Sequence, residues 1–84
     1  MPYEQRSLRL DGQRRCLRLE PEFWSMLERI ARQEQQALPR LIDRIDRHRQ
    51  TGQGTGSALR CFVIRYFAKR ATGQQANRHH KDIA

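Results

Sequence analysis

The chain has 84 residues, a formal net charge of +8 and 37% hydrophobic residues, below the ~45–50% usual for globular proteins. That describes one small domain whose core is thin without added support, and it excludes a bilayer span, which needs ~20 consecutive apolar residues. The basic balance places a polyanion first among expected partners. The charge is uneven: Met1–Leu19 holds five Arg against two acids, whereas Glu20–Glu34 holds four Glu against two Arg. The basic character returns toward the C-terminal end. This distribution predicts that the strand and C-terminal parts face the polyanion and that the first helix faces away.

Met1–Gly12 reads as a flexible basic arm, as an extension of the strand that follows it, or as a second short strand. Leu8-Arg9-Leu10 alternates, and Asp11-Gly12 is a turn signal. From Gln13 the pattern is firmer. Arg14-Arg15-Cys16-Leu17-Arg18-Leu19 alternates as a half-buried strand, so Arg14, Cys16 and Arg18 share one face while Arg15, Leu17 and Leu19 share the other. A lone strand leaves its backbone groups unpaired. The simplest partner is the same strand from a second copy, paired about a two-fold axis. Such a ribbon, with arginines on one side and helices on the other, fits the major groove of double-stranded DNA.

Pro21 opens a first helix to about Glu34, with Phe23, Trp24, Leu27, Ile30 and Ala31 at helical spacing. Gln33–Gln36 breaks it. A second helix runs from near Pro39 to about Arg49 on Leu38, Leu41, Ile42 and Ile45. The glycines of 50–56 mark a flexible connection. Ser57 caps a third helix, 57–71, with Leu59, Phe62, Val63, Tyr66 and Phe67 as its stripe. Residues 72–84 lack periodicity and are expected to be a disordered basic tail.

The order of strand, helix, turn and helix over 13–49, with Leu17-Arg18-Leu19, Glu20-Pro21-Glu22, Trp24, Leu27, Ile30, Ala31 and Leu41-Ile42, resembles the ribbon-helix-helix family of DNA-binding domains. Ser57-Ala58-Leu59-Arg60 points to a subgroup with an additional C-terminal helix. The resemblance implies a mainly α fold in which one short N-terminal strand pairs across an intertwined homodimer and three helices follow. It implies that the outward strand residues Arg14, Cys16 and Arg18 read base edges. Two arginines per strand suit guanine, whose O6 and N7 a guanidinium engages together. Leu17, Leu19, Trp24, Leu27, Ile30, Leu41, Ile42 and Ile45 then form the dimer core. The family anchors phosphates at the start of its second helix. Here that start is Ala37-Leu38-Pro39-Arg40, without a hydroxyl cap, and Arg40 is the expected substitute. Arg15 is expected to reach a phosphate or snorkel, and Lys69, Arg70, Arg78 and Lys81 to add sequence-independent phosphate contacts.

These readings converge on a cytoplasmic, nucleoid-associated transcriptional regulator, a repressor or autoregulator of bacterial or phage type. A toxin-neutralising antitoxin and a protein-interaction scaffold are the alternatives. The third helix leaves open a higher oligomer, and the C-terminal region a protein partner. Cys16, Cys61, His48, His79 and His80 lack the spacing of a zinc site. No nucleophile sits beside a base, and Gly52–Gly56 lacks the Lys of a phosphate loop. No enzyme, cofactor or metal is expected. No secretory leader is expected either, because Met1–Leu19 is charged throughout, and free thiols in a reducing compartment follow from that.

Overall fold

A computed structural model describes residues 2–83, with side chains described for 2–71. The elements are β1 (Glu4–Leu10), β2 (Gln13–Leu19), α1 (Pro21–Gln33), α2 (Leu38–Arg47) and α3 (Thr55–Ile83). The fold is mainly helical, with one two-stranded antiparallel sheet.

The sheet gives β2 a partner in its own chain: β1 pairs with it antiparallel, in register from Glu4↔Leu19 to Leu10↔Gln13. Asp11 and Gly12 make the connection with φ of 54° and 78°. Positive φ at both central residues defines the type I′ turn, whose twist matches that of the strands. Of the readings open for 1–12, the second strand is the one that holds, from Glu4 onward. Its first half is polar on both faces, so alternation alone could not reveal it.

The hairpin lays Leu10, Leu17 and Leu19 on the helices. They join Trp24, Leu27, Ile30 and Ala31 of α1, Leu41, Ile42 and Ile45 of α2, and Ala58, Leu59 and Val63 of α3 in one buried cluster. All eight residues expected to form a dimer core are thus buried within a single chain. The cover attributed to a second copy comes from β1 and α3. Trp24 ties the layers together: its Nε1–H donates to the Glu4 carbonyl at 2.8 Å, and the Arg6 guanidinium lies 4.7 Å from its ring centroid.

Helix α1 ends in a Schellman closure. Gln36 N–H donates to the Ala31 carbonyl at 2.9 Å and Gln35 N–H to the Arg32 carbonyl at 3.1 Å. The closure puts Gln35, rather than a glycine, at φ 57°. Helix α3 begins two residues before Ser57, at Thr55, and its backbone stays helical through Ile83, where a structureless tail was expected. Helix prediction relies on apolar periodicity, which residues 72–83 lack in sequence. Residues 68–83 also contain no proline. The expected contacts of Arg78 and Lys81 lie outside the described side chains.

Candidate nucleic-acid interface

A hairpin has two faces, and this one divides its charges between them. On the inner face each arginine is matched within the chain. Arg6 donates to Glu4 at 2.6 Å and to Glu28 at 2.7 Å. The hydrogen bond to Glu28, reinforced by Glu4 against the opposing effect of burial, holds the Arg6 pKa above its ordinary value. Arg15 Nη2 donates to the Thr55 hydroxyl at 2.7 Å, and its Nη1 lies 3.7 Å from Asp46.

Asp46 is the hub of that second network. It accepts from the Thr55 hydroxyl at 2.6 Å and from Arg49 Nε at 3.1 Å, with its side chain only 11% exposed. Burial pushes its pKa upward. The Thr55 and Arg49 hydrogen bonds and the charges of Arg15 and Arg49 together overcome this and hold it below the usual carboxylate value.

The outer face is built differently. Gln5, Ser7 and Arg9 of β1 and Arg14, Cys16 and Arg18 of β2 are all exposed there. They face one another as Gln5↔Arg18, Ser7↔Cys16 and Arg9↔Arg14. Among the described residues, no carboxylate lies within 4.0 Å of Arg9, Arg14 or Arg18. Arg9 has only a long contact to the Gly12 carbonyl at 3.5 Å. Arg18 sits 5.8 Å from the Tyr3 ring centroid. Directly opposed like charges such as Arg9 and Arg14 destabilise a strand pair, so this face holds a repulsion that an external anion relieves. The Cys16 thiol is contacted by Gln5 Nε2 at 2.9 Å and lies 3.7 Å from the Ser7 hydroxyl.

The structure thus brings Arg14, Cys16 and Arg18 onto one exposed surface and adds Gln5, Ser7 and Arg9, which the sequence reading missed. The signal for these was the Leu8-Arg9-Leu10 alternation followed by Asp11-Gly12. Of the six residues expected to meet phosphates, the four whose side chains are described are not on this surface. Arg15 is on the opposite face, committed to Thr55 and Asp46. Arg40 is exposed in the first turn of α2, whose N-cap Ala37 makes no side-chain cap. Lys69 is exposed on α3. Arg70 donates to the Tyr66 hydroxyl at 3.1 Å, and that hydroxyl donates to Glu34 at 2.6 Å, so Arg70 belongs to the contact between α3 and the end of α1.

Among the described residues, no group of three or more His, Cys, Asp or Glu side chains could hold a metal ion, and no helix is long and apolar enough to cross a membrane. Cys16 and Cys61 are free thiols. Neither curated proteins nor solved structures yielded a match to the chain. A family model described as a ribbon-helix-helix domain matches residues 3–67, which takes in the hairpin, α1, α2 and the packed part of α3. The chain belongs to the ribbon-helix-helix domain family.

Proposed function

We propose that this protein is a sequence-specific regulator that reads double-stranded DNA through the outer face of its β-hairpin. Ribbon-helix-helix domains are DNA-binding regulatory folds in general. The observation that carries the finer reading is the asymmetry of the two faces: the fold neutralises the inner arginines and, among the described residues, leaves Arg9, Arg14 and Arg18 without a carboxylate. A two-stranded ribbon fits a major groove about 12 Å wide. Arg14 and Arg18 are four residues apart, about 13 Å along a strand, and so span roughly four base steps at 3.4 Å each. Each is suited to guanine O6 and N7, with Cys16 between them small enough to lie against a thymine methyl.

The protein acts as a homodimer. In a hairpin with a two-residue turn, the backbone groups of Arg14, Cys16 and Arg18 point away from β1. That edge of β2 is open to pairing, and pairing centred on Cys16 brings two reading faces together about a two-fold axis. The regulator is a repressor or autoregulator that occupies its own operator. Against the antitoxin reading, α3 already buries Ala58, Leu59 and Val63 in the core of its own chain, so this part of it is not a segment awaiting a partner.

Selection of duplexes from a random pool at physiological salt tests this. The wild type should enrich guanine-containing paired half-sites, and the Arg14→Ala/Arg18→Ala double variant should enrich none while keeping its circular dichroism. Enrichment of the same sites by the variant would remove the hairpin from the reading. Failure of the wild type to enrich anything would favour a protein-interaction scaffold.

A further inference from the structure

A groove of about 390 Å³ lies between the end of α2, the connection that follows it and the first turns of α3. This is within the size range of small-molecule sites. Its walls combine two chemistries. Ile45 and Phe62 supply apolar surface, and Arg44, His48, Arg49 and Arg65 supply cationic and polar groups, with no acidic side chain in the lining among the described residues.

Among the described residues, neither Arg44 nor Arg65 has a carboxylate within 4.0 Å. Arg49 is engaged, by Asp46 at 3.1 Å and by the Gln53 carbonyl at 2.8 Å. His48 Nδ1 donates to the Arg44 carbonyl at 2.8 Å, which fixes the ring at the groove edge and leaves Nε2 as its remaining polar atom. A bare inorganic ion would leave the apolar wall uncovered. A neutral apolar molecule would leave two guanidiniums unmatched.

We propose that this groove is a binding site for a small organic anion, one with an apolar body and a carboxylate, phosphate or sulfonate head. The head pairs with the guanidiniums of Arg44 and Arg65, whose planar forks suit such oxyanions. The body lies against Phe62 and Ile45. Asp46, which holds Arg49 at the groove, is also the residue that holds Arg15 on β2, so the groove and the hairpin share one carboxylate.

The test uses the full chain at physiological salt without DNA, with anilinonaphthalene sulfonate as the probe. Saturable binding of one probe per chain is expected, with amide chemical-shift changes concentrated at Ile45, His48, Phe62 and Arg65. The Arg44→Gln/Arg65→Gln double variant should bind at least tenfold more weakly with unchanged circular dichroism, as should uncharged phenylnaphthylamine on the wild type. Shifts spread over the hairpin face, equal binding of the charged and uncharged dyes, or undiminished binding by the variant would each overturn the site. Because no DNA is present, such a failure leaves the DNA-reading proposal untouched.

Discussion

Trp24 offers the clearest test of how the hairpin is held to the helices. It is fully buried, donates its indole N–H to Glu4 on β1, and carries Arg6 against its ring. Truncation to alanine removes about 200 Å² of buried surface. At about 25 cal/mol per Å² that is about 5 kcal/mol, the upper end of the ~3–5 kcal/mol seen for large aromatics. A domain of this length has about 4–13 kcal/mol in total, so Trp24→Ala should lose a large part of its stability and unfold at a much lower urea concentration. Trp24→Phe separates packing from hydrogen bonding. It keeps most of the apolar contact but leaves the Glu4 carbonyl without its donor, a loss of about 1–2 kcal/mol. Urea unfolding followed by circular dichroism measures the total, and amide exchange on β1 locates it. Faster exchange of the Arg6 and Leu8 amides in Trp24→Phe, with α2 less affected, is the expected pattern. A Trp24→Ala protein that unfolds at the wild-type urea concentration would refute the core placement, and unchanged β1 exchange in Trp24→Phe would refute the indole–Glu4 tether.

Two further substitutions probe local features of the fold. Gln35→Gly should stabilise the protein by about 1 kcal/mol, because a non-glycine residue in the left-handed region costs about that much, and a lower melting temperature would contradict the closure described for α1. Asp46→Asn should destabilise it by about 1–3 kcal/mol at pH 7, since it removes the charged acceptor of Thr55 and Arg49. The native pKa of Asp46 lies below its ordinary value, so its contribution is complete above the unfolded value near ~3.9 and fades as pH falls through the lowered native one. The wild-type advantage over Asp46→Asn in urea midpoint should therefore shrink between pH 7 and pH 2, and a constant gap would show that the carboxylate charge is not what matters.

The parts of the fold legible in the sequence were those written in local periodicity. Arg14, Cys16 and Arg18 share a face because strand parity leaves no alternative, and Trp24, Leu27 and Ile30 fall on one helical stripe. What was not legible depends on contacts distant in sequence. Glu4-Gln5-Arg6-Ser7 shows no apolar alternation because Arg6 is accommodated by Glu28, 22 residues away, and by the Trp24 ring. With that strand left open, a second chain was the expected partner of β2 and the expected cover of the core. Arg15 is similar: parity put it on the inner face, but Asp46 and Thr55, which hold it there, lie across the domain. Helix ends were displaced by a few residues where a particular bond decides them, as when the Gly54 carbonyl accepts from Ala58 N–H at 3.0 Å and starts α3 ahead of Ser57.

The most direct examination of the DNA-reading surface is methylation interference on a selected duplex. Methyl groups at guanine N7 obstruct the major-groove edge that arginines engage. If the hairpin reads DNA through Arg14 and Arg18, N7 methylation at a few guanines in each half-site should abolish binding, while methylation of adenine N3 in the minor groove at those steps should not. Binding that ignores N7 methylation and is blocked only from the minor groove would contradict it.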